Sequence, residues 1–357
     1  MFNLLLLFIP VAIAIEHFAP DQHLLIFATS ALAILPLAGW LGRATEHLAE
    51  HAGEGVGGLL NATFGNAAEL IIALVALKAG LHDVVKASIA GSIIGNILLV
   101  LGASMLAGGL RHKEQKYSAE GARSQSTMLT LATIALVLPA AYSFAIAEQV
   151  PRGLGFVSIS ISVVLLIVYG LFLLFSLVTH RALFTGSVEF AEGSDHPAPW
   201  SVAKALAVLA VSTVFIAWMS EILVGAVEPA AHELGLSNIF VGVFIVAVLG
   251  NAAEHASAIT AAMKNRMDLS LAIAIGSGVQ VALFVAPLLV LLSLAVGPNP
   301  MDLAFSGGLV LSMLLAVWIT GEVAGDGRSD WLKGVQLLCV YLILGLTYFV
   351  IPDQMAS

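Results

Sequence analysis

The sequence contains very little cysteine and very little charge. Cys339 is the single cysteine among 357 residues, which excludes an internal disulfide framework. Charged residues make up 10% of the chain, whereas soluble globular domains are about one quarter charged. Because 59% of the residues are hydrophobic and the mean hydropathy is +1.00, the composition indicates an integral membrane protein.

The chain also lacks an excess of basic residues. Its formal net charge is −9, which argues against nucleic acid as a partner. The first residues contain no Lys or Arg, and the apolar run that reaches Ile15 has no small-residue cleavage site. We therefore expect a short first membrane helix and no cleavable signal peptide.

Long apolar runs fill most of the chain. They are continuous over about 20 residues, which predicts transmembrane helices rather than the alternating strands of a β-barrel. We predict an all-α polytopic membrane protein with about eleven transmembrane helices. The predicted spans, separated by polar or Gly/Pro-containing breaks, are residues 2–18, 23–49, 57–79, 84–110, 124–147, 153–179, 200–226, 237–263, 268–295, 302–322 and 331–351.

Two copies of a polar motif interrupt these runs. The sequence GNAAE occupies Gly65–Glu69 and again Gly250–Glu254, 185 residues later (250 − 65). The pairs Gly91-Ser92 and Gly276-Ser277, each in the span that follows, are separated by the same 185 residues (276 − 91). A constant offset across two helices and a loop indicates an internal repeat.

The repeat predicts how the chain is organised. Each repeated unit has five helices, and an odd number inserts the second unit with inverted topology, which places a transport site at the interface of the two units. The predicted parts are residues 1–20 (N-terminal transmembrane helix), 21–184 (first five-helix repeat), 185–199 (acidic cytoplasmic linker) and 200–357 (second five-helix repeat).

The distribution of Lys and Arg predicts the orientation. We call side A the side of the membrane that carries the N-terminus and every second loop after it, and side B the other side. Side A receives ten Lys and Arg and side B receives three, with Arg43 left out because it lies inside a span. Positive loops remain in the cytoplasm, so we expect a cytoplasmic N-terminus, an outer C-terminus and a location in the cell (inner) membrane of a prokaryote.

The repeated motif places Glu69 and Glu254 inside membrane spans. A charged side chain at the bilayer centre costs roughly 2.5–3.5 kcal/mol on insertion scales, so an ionisable residue at this depth indicates a functional site. Residues three or four positions apart share one face of a helix. The polar side chains that share a face in this way are Asn66 with Glu69, Asn251 with Glu254 and His255, Ser92 with Asn96, and Ser277 with Gln280.

These side chains offer carboxylate, amide and hydroxyl oxygens. Such a set suits a hard cation such as Ca²⁺ better than zinc or copper. The two glutamates balance the charge of one divalent cation, and without a cation two like charges in a low dielectric take up protons. A pair that holds either Ca²⁺ or protons couples the two ions as an antiporter does. Ca²⁺ is then the transported substrate, and no cofactor is expected.

The segments Asn61–Glu69 and Gly250–His255 resemble the two signature repeats of the Ca²⁺/H⁺ antiporter (cation/proton exchanger) family, within the cation/Ca²⁺ exchanger superfamily. The resemblance covers nearly the whole chain and implies export of cytoplasmic Ca²⁺ in exchange for protons by alternating access. Related Na⁺/Ca²⁺ exchangers usually have Pro before the motif acid, where this chain has Ala68 and Ala253. The ion-site residues that the resemblance implies are the exchange carboxylates Glu69 and Glu254, with Asn66, Asn251, Ser92, Ser277 and Gln280.

Several further polar residues are open to a functional or a structural interpretation. His255 either tunes Glu254 and proton access or is a bundle histidine without a role in transport. Glu46 and Glu221 lie in loosely matching segments of the two halves, and they either line an ion path or form solvated helix ends. The linker acids, which either attract Ca²⁺ or belong to a plain solvated loop, are Glu189, Glu192 and Asp195.

Other functions remain as alternatives. The nearest is a Na⁺/Ca²⁺ exchanger, or another cation exchanger, of the same fold. A cation channel would use the two carboxylates as a filter, and an intramembrane metallo-enzyme would use the H-x-x-E-H pattern of His47, Glu50 and His51. We expect a transporter rather than an enzyme, with Ca²⁺, H⁺ and the lipid bilayer as partners, and self-association into a homo-oligomer stays open.

Overall fold

A computed structural model describes residues 2–146, 153–180 and 200–351 of the chain. These residues are almost entirely helical. The predicted acidic linker, with Glu189, Glu192 and Asp195, lies outside the described residues.

Twelve helical segments make up the described part of the chain. The first, α1, is preceded by a 3₁₀ turn at Phe2–Leu7. The helices are α1 Phe8–Phe18, α2 His23–Ala52, α3 Glu54–Phe64, α4 Ala67–Lys78, α5 His82–Arg111, α6 Ala119–Ile146, α7 Gly153–Thr179, α8 Val202–Leu234, α9 Asn238–Met263, α10 Met267–Leu292, α11 Gly307–Ala324 and α12 Trp331–Val350.

Nine helices within the described ranges are long and apolar enough to cross a membrane. The short apolar helix at the N-terminus and the interrupted pair α3 and α4 supply two further units. This agrees with the prediction of an all-α polytopic membrane protein with about eleven transmembrane helices.

The third predicted span, residues 57–79, is not one continuous helix as predicted. It breaks at Gly65-Asn66, and Asn66 has φ −95° and ψ 18°, which lie outside the helical region. Asn favours the cap of a helix over its interior because its side chain competes for backbone hydrogen bonds. The matching Gly250-Asn251 step lies inside α9 and stays helical. The same dipeptide therefore has two conformations in the two copies.

Helix α8 is longer than predicted. The predicted span ended at residue 226, but the helix continues past Pro229 to Leu234 and stops at Gly235, which has φ 67°. A left-handed residue after the last turn is a common helix end and favours glycine. The predicted span 302–322 also differs, because the corresponding helix, α11, begins at Gly307 rather than at residue 302.

Helices α5 and α10 form the centre of the molecule. In the most apolar 18 residues of each helix, 83% of the residues of α5 and 67% of those of α10 are buried. The corresponding share for α12 is 22%. Each central helix contains a π-helical segment, Gly95–Val100 in α5 and Val281–Val285 in α10. These segments occupy matching positions in the two repeats, and π-bulges occur often at functional sites.

The loops assigned to each side of the membrane contact one another. On side A, β1 (Gln115–Lys116) pairs antiparallel with β2 (Arg328–Ser329), and Gln115 Nε2 donates to Asn265 Oδ1 at 3.0 Å. On side B, Lys86 Nζ donates to Asp302 Oδ1 at 2.7 Å. The described loops are thus grouped as the sequence predicted.

Candidate functional site

The two GNAAE motifs cross at the centre of the molecule. Gly250 packs against Glu69, because a Cβ on Gly250 would lie 2.6 Å from Glu69 Cγ. In the reverse direction, a Cβ on Gly65 would lie 3.4 Å from Glu254 Oε1. The glycine of each motif therefore lies beside the glutamate of the other, and only a residue without a side chain allows the first of these contacts.

Glu69 is held by side chains from both repeats. It lies in the first turn of α4, directly after the break at Asn66. Ser92 Oγ of α5 and Asn251 Nδ2 of α9 both donate to Glu69 Oε1. The other oxygen, Oε2, is buried and makes no hydrogen bond within the described chain. One oxygen of this carboxylate is thus fixed, and the other is left for a ligand.

A second group of hydrogen bonds joins the amides. Asn66 Nδ2 donates to Gln280 Oε1, and Asn66 Oδ1 accepts from Ser277 Oγ at 3.1 Å. Asn96 Nδ2 donates to Ser277 Oγ at 3.0 Å. Like Ser92 and Asn251, the residues Asn66, Asn96 and Ser277 are buried. The network fixes the amide and hydroxyl oxygens around the crossing of the motifs.

Glu254 repeats the arrangement of Glu69 in part. Its Oε2 is also buried without a hydrogen-bond partner among the described residues, and the two carboxylates are close enough to interact electrostatically. Both side chains keep some of their surface exposed. A buried carboxylate oxygen without a hydrogen-bond partner is costly unless a proton or a cation satisfies it. The two glutamates are therefore suited to bind protons or a cation.

The cavity beside Glu69 is narrow. It lies between α4, α5, α9 and α10, is lined by Glu69, Ser88, Ser92 and Gly250 together with apolar side chains, and has a volume of about 20 Å³. This is room for about one water molecule. The space between Glu69 and Ser88, which lies toward side B, is therefore nearly filled.

The two repeats pack differently on the two sides of the site. On side B, a Cβ on Gly91 of α5 would lie 2.4 Å from Val243 O of α9, so these two backbones are in direct contact. The matching glycine, Gly276 of α10, has far more room, because the nearest atom to a Cβ there would be Gln125 Nε2 at 3.8 Å. The partner that symmetry would place against Gly276 is α3, which instead packs on α2.

The secondary candidates lie at or outside the edge of this cluster. His255 follows Glu254, and its Nε2 is buried without a hydrogen-bond partner in the part of the chain that is described. Glu46 is exposed on α2. Glu221 is exposed on α8 and lies 3.5 Å from Lys78 Nζ. The structure thus brings together the seven predicted ion-site residues and Asn96, and it leaves Glu46 and Glu221 apart from them.

The H-x-x-E-H segment has other partners. His47 Nδ1 lies 3.3 Å from Glu50 Oε2, while His51 Nε2 lies 2.7 Å from the carbonyl oxygen of Trp200. Across residues 2–146, 153–180 and 200–351, no group of three His, Cys, Asp or Glu side chains is placed to hold a metal ion. A zinc site at this segment therefore has no support from the geometry.

Some features of the site have no clear sequence signal. The π-helical segments of α5 and α10 are the main example, since Asn96 lies in the first of them and Gln280 directly precedes the second. Ser88 lines the narrow cavity but stands outside both motifs. The only sequence feature connected with these segments is the 185-residue offset, which places the π-helical segments of α5 and α10 at matching positions of the two repeats.

Comparisons with known proteins give a consistent result. The model of the family described as sodium/calcium exchanger protein matches residues 22–178 and 204–350. A Ca²⁺/H⁺ antiporter of Aphanothece halophytica is 45% identical over 98% of this chain and 96% of its own length. The Ca²⁺/H⁺ antiporter ChaA of Bacillus subtilis is 42% identical over 91% of this chain and 92% of its own length. The solved structure of native YfkE superposes with a TM-score of 0.82 at 38% identity, covering 98% of this chain and 100% of that one.

Proposed function

Because the chain belongs to the sodium/calcium exchanger protein family, we propose that it is a Ca²⁺/H⁺ antiporter that exports cytoplasmic Ca²⁺ by alternating access. Two of the relatives named above are Ca²⁺/H⁺ antiporters, and each matches this chain over nearly its whole length. Ca²⁺ and protons compete for Glu69 and Glu254, which act as the exchange carboxylates.

The observation that carries this proposal is the pair of buried, unpartnered Oε2 atoms of Glu69 and Glu254. Two carboxylates balance one Ca²⁺, and the surrounding amide and hydroxyl oxygens suit its coordination. Ser92 and Asn251 fix Glu69 Oε1, so that Oε2 stays directed at the ion. When the cation leaves, protons satisfy the same oxygens, and the empty cluster stays close to neutral during the conformational change.

A neighbouring helix packs tightly against Gly91, whereas Gly276 has room beside it. This difference supports a conformation that is closed toward side B and open toward side A. With side A in the cytoplasm, as the Lys and Arg distribution predicts, this is the state that accepts cytoplasmic Ca²⁺. In the opposite state, α3 closes on α10 while α9 leaves α5. Glu46 near side A and Glu221 near side B then lie on the two approaches to the site, and His255 tunes Glu254.

The test is transport in membrane vesicles. In inside-out vesicles with an imposed pH gradient, the unmodified protein should accumulate radioactive Ca²⁺ and release protons when Ca²⁺ is added. We expect Glu69→Gln and Glu254→Gln each to abolish both, because glutamine can neither release a proton nor balance the cation. Glu228→Gln is the matched control, since it neutralises an exposed carboxylate on α8 and should leave transport near normal.

Near-normal exchange in both glutamine variants of the site would refute the assignment. A Na⁺ gradient imposed without a pH gradient distinguishes the Na⁺/Ca²⁺ exchanger, which would be driven by it. Single-channel currents in a planar bilayer would indicate a channel instead.

A further inference from the structure

We propose that a groove between α1, α2 and α8 is a binding site for one anionic phospholipid, in the leaflet on side A. The site has a cationic and aromatic end and an apolar slot. It is separate from the ion site and does not depend on the proposed exchange activity.

The cationic end is formed by Trp40, Arg43, Trp200 and Lys204, which we call the Trp40/Trp200 cluster. The Arg43 Cζ lies 4.7 Å from the centre of the Trp40 ring, and the Lys204 Nζ lies 4.4 Å from the centre of the Trp200 ring. The two indole rings are 5.8 Å apart. Trp40 Nε1 also donates to Asn3 Oδ1 at 3.2 Å, which ties the start of the chain to the cluster.

The positive charges of this cluster are available for a ligand. Arg43 and Lys204 are both exposed, and neither has a carboxylate within salt-bridge distance in the described residues. Glu46 is close enough to Arg43 to interact electrostatically without forming an ion pair, and Glu50 lies beside His47. Lys204 lies in the first turn of α8, and Arg43 lies beside it on α2, about two turns before the end of that helix. Long cationic side chains that reach toward the membrane surface attract the phosphate of an anionic lipid.

An apolar cavity of about 370 Å³ begins directly at Trp40. It is far larger than the cavity of about 20 Å³ beside Glu69, which has room for about one water molecule. Its walls come from three helical segments near the cluster, and among the lining side chains are Leu6, Ile9, Leu37, Val208, Val211 and Phe215. A cavity with this lining, open at the surface of a membrane protein, is suited to a hydrocarbon chain.

The dimensions match one leaflet of a bilayer. Lys204, Val208, Val211 and Phe215 follow one another at helical spacing along one face of α8. At 1.5 Å per residue, the eleven steps from Lys204 to Phe215 span about 16 Å, and half of a hydrocarbon core of about 30 Å is about 15 Å. A headgroup at Lys204 and Arg43 therefore places its acyl chain along the whole groove.

Tryptophan fluorescence quenched by brominated lipid tests the proposal. The chain has five tryptophans, so Trp218, Trp318 and Trp331 are replaced by Phe, which leaves Trp40 and Trp200 as reporters. This protein is placed in phosphatidylcholine nanodiscs with a small fraction of brominated phosphatidylglycerol or, in parallel, of brominated phosphatidylcholine. We expect the anionic lipid to quench several-fold more strongly than the neutral one at equal fraction.

Variants of the groove distinguish specific binding of the anionic lipid in the groove from its general attraction to positive charge on the protein. In Arg43→Gln/Lys204→Gln the preference for the anionic lipid should disappear. The matched control Arg111→Gln/Lys264→Gln, which removes one exposed Arg and one exposed Lys elsewhere on side A, should keep it. Ala207→Phe, which fills the slot and leaves both cations in place, should also lose the preference.

Equal quenching by the two lipids in the reporter protein would overturn the proposal. So would a preference that survives in Arg43→Gln/Lys204→Gln, or one that survives in Ala207→Phe. If the double variant fails to fold, Lys204→Gln alone replaces it, because this exposed side chain lies over the Trp200 ring. The single variant should then show a reduced preference, and an unchanged one would contradict the site.

Discussion

At the scale of single residues, the chemistry depends on contacts between the two motifs rather than within each one. Helical spacing groups Asn251 with Glu254, but the Asn251 amide donates to Glu69 of the other motif. In the same way, the Asn66 amide donates to Gln280 of the second repeat. Spacing identifies residues that share a face, but it does not identify the neighbour that the face meets. The residue types of the site could be predicted, and their hydrogen-bond partners could not.

The glycine before each motif asparagine is the residue that allows this crossing. We expect Gly250→Ala to weaken Ca²⁺ transport, because its Cβ would lie 2.6 Å from Glu69 Cγ and must displace the carboxylate. A shift that removes about 1.4 kcal/mol of binding raises the half-saturating Ca²⁺ concentration about tenfold. Initial rates of Ca²⁺ uptake over a range of Ca²⁺ concentrations measure this change.

Gly225→Ala provides the matched control, since nothing lies within 4 Å of the position of its Cβ on α8. Its Ca²⁺ dependence should equal that of the unmodified protein. A Gly250→Ala protein with the same Ca²⁺ dependence as this control would show that the close approach of Gly250 to Glu69 is not needed.

At the scale of helices, the two repeats have similar sequences but different local structures. The first copy of the motif breaks between α3 and α4, whereas the second continues through α9. The sequence gives no reason for this difference, because the pentapeptides are identical. The packing around the two copies also differs: α9 lies against α5 at Gly91, whereas α3 packs on α2 and the matching Gly276 has more room. A repeat with two conformations at once is what alternating access requires of an inverted pair.

This asymmetry predicts opposite effects of two matching substitutions on stability. We expect Gly91→Ala to lower the Tm, because its Cβ would lie 2.4 Å from Val243 O. Gly276→Ala should leave the Tm unchanged or raise it slightly, since its Cβ would lie at an ordinary contact distance of 3.8 Å from Gln125 Nε2 and alanine favours a helix by about 0.5–1 kcal/mol over glycine. Thermal unfolding of the two purified proteins gives the comparison.

Transport by the Gly276→Ala variant tests the proposed conformation in which side A is closed. Gly276→Ala should slow exchange even though it does not destabilise the protein, because Gly276 must approach α3 when side A closes. A stable Gly276→Ala protein with unchanged exchange would contradict that movement.

At the scale of the whole molecule, composition and the repeat predicted most of the architecture. The apolar runs indicated the helical class and about eleven spans, and the loops of each side contact one another as the alternation of sides requires. Helix ends were less predictable. Helix α8 passes Pro229 and stops only where Gly235 adopts a left-handed conformation, and the loop before α11 is held by Lys86 and Ser158, two residues far away in the sequence.

The transport proposed for the whole molecule depends on one ion site shared by the two repeats. Glu69 and Glu254 belong to different repeats, and each lies beside the glycine of the other motif with one buried oxygen that has no hydrogen-bond partner among the described residues. In the proposed mechanism Ca²⁺ and protons compete for this pair, and Ca²⁺ affinity should therefore fall as the pH falls, because protons then occupy the carboxylates. The same competition should make each Ca²⁺ that binds displace protons into solution.

Proton release during Ca²⁺ binding to the purified protein in weakly buffered solution tests this claim most directly. The unmodified protein should acidify the solution as Ca²⁺ is titrated in and take the protons back when a chelator removes the cation. Glu69→Gln and Glu254→Gln should each show neither change. Ca²⁺ binding without proton release, or with an affinity that does not depend on pH, would contradict the account.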